Sequence, residues 1–141
     1  MKRIISVLLV VIIGAAALVG CGKYEPKIAD TGVQYVTKTN PMPDGQYPGI
    51  IIYSVKKDGD KIIVETESPI EEMQYALKNF ICFQVINKDG DKDANIKVKL
   101  KESDEQGIFI LTPEKMKVDE IKYLEVGPYK NDDDYITFNV N

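Results

Sequence analysis

Two Asp-Gly pairs constrain the fold of this chain more than any other feature, because each lies between two short runs that are apolar or alternate apolar with polar residues. The runs are 50–56 and 61–67 around Asp58-Gly59, and 80–87 and 95–101 around Asp89-Gly90. An Asp-Gly pair in this setting is the strongest short-range signal for a β-hairpin. The sequence therefore predicts two antiparallel hairpins, one at each pair.

Further short runs outside these hairpins also carry the features of strands. They are 33–37, 108–112, 121–126 and 135–140. Short strands at intervals of roughly 8 to 12 residues, joined by turns, are typical of a β-sandwich. We therefore expect an all-β fold: an antiparallel β-sandwich of immunoglobulin-like architecture with seven or eight strands. A small β-barrel is the alternative.

The run 95–101 alternates without exception. Its apolar residues fall on one face and its lysines on the other: Ile96, Val98 and Leu100 against Lys97, Lys99 and Lys101. This pattern indicates a half-buried antiparallel strand with a solvated outer face. Lysines along such a strand also discourage pairing with another chain, which is typical of the edge of a sheet.

One short helix is expected between the strands. Ser68 is suited to the N-cap, Pro69 to the first helical position and Glu71 to the reciprocal capping contact. Met73 and Leu77 then follow at helical spacing. The sequence predicts a helix over 68–77 that crosses between two strands.

The chain contains no histidine, which narrows the chemistry available to it. Catalysis by Ser-His-Asp or Cys-His groups is excluded, and so are metal sites with imidazole ligands. No glycine-rich phosphate loop is present either. We therefore expect no enzymatic activity, no catalytic residue and no cofactor.

The N-terminus has the pattern of a secretory signal. Met1-Lys2-Arg3 is followed by a run at 4–18 that is almost entirely apolar and is therefore expected to form a signal helix. A membrane-spanning helix needs about 20 apolar residues, so this run is short for a span. It ends in Leu18-Val19-Gly20-Cys21, which resembles the lipobox of bacterial lipoprotein precursors. An ordinary signal peptide or an uncleaved anchor helix is the alternative.

The resemblance covers the first 21 residues and implies a lipid anchor. In that family the cysteine thiol, here that of Cys21, receives a diacylglyceryl group, and a peptidase cuts just before it. Residues 1–20 are then a cleaved signal peptide, 21–32 a lipid-anchored tether and 33–141 the β-sandwich domain. Two or three acyl chains give stable anchoring, whereas one is marginal. The resemblance thus implies the lipid bilayer as a partner, through acylated Cys21, on the extracytoplasmic face of the cell membrane.

Charge limits the partners of the mature chain. Removal of residues 1–20 removes Lys2 and the only arginine, Arg3, and leaves 16 lysines against 22 acidic residues, a net charge of −6. Nucleic-acid binding depends on a clustered basic footprint, so nucleic acid is not expected as a partner.

Two further features have a structural and a chemical interpretation. Cys82 lies within a run of apolar residues and is expected to be a small apolar residue of a buried strand. The acidic turn that follows has the one-three-five-seven spacing of a calcium loop: Asp89, Asp91, Asp93 and Asn95. Ala94 and Leu100 replace the glycine and the glutamate that such a loop requires, so an exposed turn is expected. The same holds for the aspartates at 132–134, and no metal ligand is predicted.

The sequence favours a non-catalytic binding or accessory module of the cell envelope. Its partner is expected to be an envelope protein or a glycan, bound through loops or an exposed strand edge. Four tyrosines are candidate contact residues because each has an apolar face and a polar tip: Tyr47, Tyr123, Tyr129 and Tyr135. The alternative is that they are ordinary, partly buried aromatics of strands and loops. The alternative function is a small cell-envelope glycan hydrolase that uses an Asp/Glu pair.

Overall fold

The structure is a computed structural model of the chain. It describes residues 23–36, 41–46, 49–67, 70–79, 81–103, 106–128 and 135–141. The expected signal helix and the lipobox residues Leu18, Val19, Gly20 and Cys21 lie outside the described residues.

The described residues form nine strands, one α-helix and one 3₁₀ turn at Val118–Glu120. The strands are β1 Gln34–Val36, β2 Gly49–Asp58, β3 Lys61–Thr66, β4 Ile81–Asn87, β5 Lys92–Asp93, β6 Ile96–Ser103, β7 Gln106–Pro113, β8 Ile121–Pro128 and β9 Ile136–Asn139. The helix, α1, spans Ile70–Asn79 between β3 and β4. No helix in the described ranges is long and apolar enough to cross a membrane.

The strands form two antiparallel sheets. The first has the order β1-β2-β3-β7-β6 and the second the order β5-β4-β8-β9. Neighbouring strands pair in antiparallel fashion throughout both sheets. The expected all-β, two-sheet architecture is therefore confirmed, and neither sheet closes on itself as a barrel would.

One apolar core lies between the two sheets. Phe83 of the second sheet packs edge to face on Phe109 of the first, with ring centroids 5.0 Å apart. Met73 and Ala76 of α1 are also fully buried in this core. The helix is about three turns long and depends on this packing, since so short a helix is marginal alone. The expected helix is confirmed from Ile70 onward, while Ser68 and Pro69 lie outside the described residues.

The first predicted hairpin is confirmed and the second is wrong. β2 and β3 pair across Asp58-Gly59, with Gly59 at a φ of 61°. The turn at Gly90 instead joins β4 to the two-residue strand β5, which the sequence did not predict. The strand expected to complete that hairpin is β6, which lies in the other sheet and pairs with β7. The chain leaves the second sheet at Asp93. The Asp93 carboxylate accepts hydrogen bonds from the backbone N–H groups of Lys115 and Met116, in the loop after β7.

Candidate interaction surfaces

The outer face of the first sheet carries a row of lysines beside a row of isoleucines. In the β6–β7 register, Lys99 lies opposite Ile110 and Lys101 opposite Ile108. Ile110 in turn lies opposite Ile63 of β3. Residues directly opposite each other in antiparallel strands share a face, with Cβ atoms about 4.5–5.5 Å apart. The set is named here the lysine–isoleucine face: Lys56, Lys97, Lys99, Lys101, Ile63, Ile108 and Ile110.

The lysines of this face are solvent-exposed. Lys97, Lys99 and Lys101 all lie on β6, an edge strand of its sheet, as the alternation of the sequence predicted. Lys97 forms an ion pair with Glu114, 3.0 Å between Nζ and Oε1, yet 77% of the Lys97 side chain remains exposed. An exposed ion pair of this kind contributes about 0–1 kcal/mol to stability. The fold therefore depends little on the Lys97 charge.

The isoleucines of this face are only half-buried. Ile63, Ile108 and Ile110 alternate with fully buried core residues such as Val64 and Phe109. They are not among the side chains that pack against the core. The outer face of a half-solvated antiparallel sheet is normally polar. An apolar centre beside charged residues is instead typical of an interaction surface.

A second surface, the outer face of the second sheet, is occupied by the chain's own N-terminal segment. The Tyr24 ring packs edge to face on Tyr123, with centroids 5.8 Å apart. It also lies over Gly90, where an added Cβ would come within 3.1 Å of the ring. The Tyr24 hydroxyl donates a hydrogen bond of 3.2 Å to Oε1 of Glu125. Tyr24 is therefore docked on the domain.

Glu125 is the polar centre of this docking site and only 5% of it is exposed. Its carboxylate also accepts a hydrogen bond from Gln84 and forms an ion pair with Lys92, with 3.2 Å between Nζ and Oε2. A buried carboxylate needs such partners, because burying it without them is costly. Burial, together with the adjacent Glu125 charge and hydrogen bond, raises the pKa of Tyr24 above its usual value of 10.0.

The N-terminal segment continues from Tyr24 to contact both sheets. Ile28 forms a parallel bridge with Thr137 of β9, and the Ala29 N–H donates to the Thr137 carbonyl at 2.8 Å. The Gly32 N–H then donates to the Ile52 carbonyl of β2, also at 2.8 Å. The stretch expected to be a tether, 21–32, is thus in contact with the domain from Tyr24 onward. Backbone hydrogen bonds therefore hold part of this stretch against the sandwich.

The expected tyrosine contacts and the expected burial of Cys82 need correction. Tyr123 is only 8% exposed beneath Tyr24, so it is not a surface contact residue. Tyr135 is half-buried, and Tyr47 and Tyr129 lie outside the described residues. Cys82 is half-buried on the outer side of β4, and its Sγ lies 3.2 Å from the Gly127 carbonyl oxygen. It alternates with Ile81 and Phe83, which take the core side, so its strand position decides its exposure.

The acidic turn after β4 is held by hydrogen bonds within the protein. Asp93 is 3% exposed, and its carboxylate accepts the N–H groups of Asn95, Lys115 and Met116 at 2.8–3.0 Å. Burial by itself raises the pKa of Asp93, but these hydrogen bonds outweigh it and hold the pKa below its usual value. Asp89 and Asp91 are exposed, as expected for this turn. No cluster in the described part of the chain has the acidic, cysteine or histidine groups to hold a metal ion.

The described surface also contains a shallow groove. It has a volume of about 420 Å³ and lies between the β2–β3 turn and the loop 113–119. The two buried carboxylates, Asp93 and Glu125, already receive hydrogen bonds from protein groups. Neither lines this groove.

Comparison of the chain with protein-family models, with curated proteins and with solved structures finds no match. The residues, the occupied outer face of the second sheet and the exposed lysine–isoleucine face of the first therefore carry the inference of function.

Proposed function

We propose that this protein is a lipid-anchored, extracytoplasmic and non-catalytic binding module of the cell envelope. Acylation of Cys21 attaches it to the cell membrane, and the lysine–isoleucine face of the first sheet binds its partner. The docking of Tyr24 on Gly90, Tyr123 and Glu125 is the observation that carries this proposal. This docking holds the chain from Tyr24 onward, three positions after Cys21, on the folded domain.

The docked segment leaves a very short free tether. Two residues lie between Cys21 and Tyr24, and the three residue steps from one to the other span at most about 10–11 Å when fully extended. A freely extended tether from 21 to 32 would reach about three to four times as far. The domain is therefore held close to the lipid headgroups, which suits a module that acts beside the membrane and does not reach across the envelope.

We also propose that the sandwich is of immunoglobulin-like type. The central order β2-β3-β7-β6 corresponds to the strand order A-B-E-D, and β4-β8-β9 corresponds to C-F-G. β5 then extends the second sheet and β1 extends the first. Domains of this architecture commonly serve in binding, although a fold alone does not define a function.

Membrane fractionation of two cysteine variants tests the anchor. Cys21→Ser is expected to leave the membrane fraction or to retain its signal peptide, because the acyl acceptor is gone. Cys82→Ser removes the other cysteine of the chain and is expected to remain in the membrane fraction at its mature mass. Mass spectrometry of the wild type is expected to show an N-terminal acylated cysteine. Co-fractionation of Cys21→Ser with the wild type, at the same mass, would sink the proposal.

In-cell cross-linking tests the role of a binding module. The anchored protein is expected to give a specific cross-linked product that depends on the lysine–isoleucine face. A matched charge control is provided by Lys27, Lys78 and Lys88, which are exposed elsewhere on the protein. Products that persist when Lys97, Lys99 and Lys101 are replaced by Gln would show that partners bind at another surface.

A further inference from the structure

We infer that the lysine–isoleucine face binds a linear polyanion, a phosphodiester polymer whose negative charges lie about 7 Å apart. This inference takes the extracytoplasmic location from the proposed function and names the partner class of the same surface. Four features support it: the spacing of the lysines, the isoleucines of β7 beside them, the local charge balance and the position of the anchor.

The spacing is set by the strand. Lys97, Lys99 and Lys101 occupy alternate positions of β6 and project from the same face. Two residues of an antiparallel strand advance about 6.8 Å, so the three ammonium groups form a line about 14 Å long. A regular line of this kind matches a polymer with one charge per repeat better than it matches the irregular surface of a folded protein.

The platform is formed by the neighbouring strand. Ile110 and Ile108 lie directly opposite Lys99 and Lys101 on the same face. The aliphatic stem of a lysine packs well on apolar surface while its ammonium group stays in water. This arrangement holds the charges in place before binding, which lowers the entropic cost of association. Lysine is suited to phosphate as a point charge, without the two-pronged geometry of arginine.

The charge balance of the face is opposite to that of the whole protein. Its four lysines, at 56, 97, 99 and 101, outnumber the carboxylates that contact or share these rows: Glu114, which pairs with Lys97, Glu65, which accepts a hydrogen bond from Ser54, and Asp58 at the end of β2. The mature chain carries 16 lysines and 22 acidic residues. The acidic remainder repels a polyanion from other surfaces and thereby directs it to this face.

The position of the anchor excludes the bilayer as the occupant. Tyr24 is docked on the outer face of the second sheet, while the lysine–isoleucine face lies on the outer side of the first. Packed sheets lie about 10 Å apart, and side chains extend beyond both of them. A free tether of at most about 10–11 Å cannot pass around this thickness. The lysines therefore face the aqueous envelope and not the lipid headgroups.

Direct binding measurements with a defined polymer test the inference. The probe is a synthetic linear oligomer of glycerol phosphate, titrated by calorimetry into the full-length protein in nonionic detergent micelles. We expect binding whose affinity falls with increasing salt, because counterions are released. Lys97→Gln/Lys99→Gln/Lys101→Gln is expected to lose about tenfold or more in affinity at low salt. The control Lys27→Gln/Lys78→Gln/Lys88→Gln has the same change in charge and is expected to stay within about twofold.

Three outcomes decide the matter. Loss in the first variant alone, with both variants melting as the wild type does, supports the inference. Equal loss in both variants overturns it, because the effect is then one of net charge. Absence of binding by the wild type at low salt also overturns it and favours a protein partner for this face. Cys21→Ser is expected to bind the oligomer as the wild type does, so a failed anchor leaves this test unaffected.

Discussion

Replacement of Asp93 by Ala is expected to destabilise the fold strongly, although Asp93 lies in a turn rich in exposed acidic residues. The carboxylate is 3% exposed and accepts N–H groups from Asn95, Lys115 and Met116. A hydrogen bond to a charged group contributes about 1.5–3 kcal/mol, and such contributions are not additive. Because Asn95 and Lys115 are exposed, water in the variant replaces part of the hydrogen bonding that their N–H groups lose. We expect the free energy of unfolding to fall by about 3 kcal/mol.

Urea denaturation at neutral pH measures this change. For a domain of this size, about 3 kcal/mol corresponds to a fall in Tm of roughly 12 °C. The control is Asp89→Ala, which removes the same charge from an exposed position of the same turn and is expected to change stability by less than about 0.5 kcal/mol. If Asp93→Ala does not fold, Asp93→Asn, which keeps one acceptor oxygen, is expected to show an intermediate loss. Equal stabilities of Asp93→Ala and Asp89→Ala would refute the reasoning.

The pH dependence of this difference has a definite sign. Because the pKa of Asp93 is lower in the folded state than its usual value of 3.8, the ionised carboxylate stabilises the fold above that pH. The stabilisation is lost as the pH falls through the lower pKa of the folded state. The wild type and Asp93→Ala are therefore expected to converge in strong acid. If the difference in unfolding free energy between the two proteins stays constant as the pH falls through the pKa of Asp93, the carboxylate charge is not its cause.

Three further outcomes are expected. The raised pKa of Tyr24 means that its docking is fully present below about pH 10 and is lost as the pH rises through the folded-state value; the protection factors of the N-terminal amides, which correct for faster intrinsic exchange at high pH, should fall there in the wild type but not in Tyr24→Phe. Thr66→Val should lower stability by about 1–2 kcal/mol in urea melts, because the Thr66 hydroxyl donates to the Gly107 carbonyl at 2.7 Å in the core; Thr66→Ser, which keeps the donor, should lose less. Gly90→Ala should increase proteolysis of the N-terminal segment, since Gly90 has a φ of 91° and touches Tyr24; unchanged proteolysis would contradict the docked position of Tyr24.

The strands were predictable because their signals are local. The alternation in β6 identified both its inner face and its exposed lysines, and Asp58-Gly59 identified the β2–β3 hairpin. The turn at Gly90 carried the same local signal, yet its predicted partner was wrong. The choice between sheets depends on Asp93, whose contacts with Lys115 and Met116 are 22 and 23 positions away in sequence. A turn signal contains no information about such contacts.

The candidate surfaces were harder to predict than the strands. β3 and β7 contain continuous apolar runs, Ile62-Ile63-Val64 and Ile108-Phe109-Ile110-Leu111, and such runs do not reveal which face is covered. Only the register with β6 places Ile108 and Ile110 beside lysines. The contact of Tyr24 with Glu125 joins residues 101 positions apart, and a polar N-terminal stretch gave no sign of it.

Under the proposed export of this chain, the docked N-terminal segment also sets an order of events. Its partners, Gly90, Glu125 and Thr137, are far along the chain, so the segment leaves the membrane first but completes its contacts almost last. At ~5–20 residues per second, the 117 residues from 21 to 137 take roughly 6 to 23 s to be synthesised. Under the proposed lipid anchor, the acylation of Cys21 would have this interval before Tyr24 docks on the domain. The fold would then set a time window for the maturation of its own anchor.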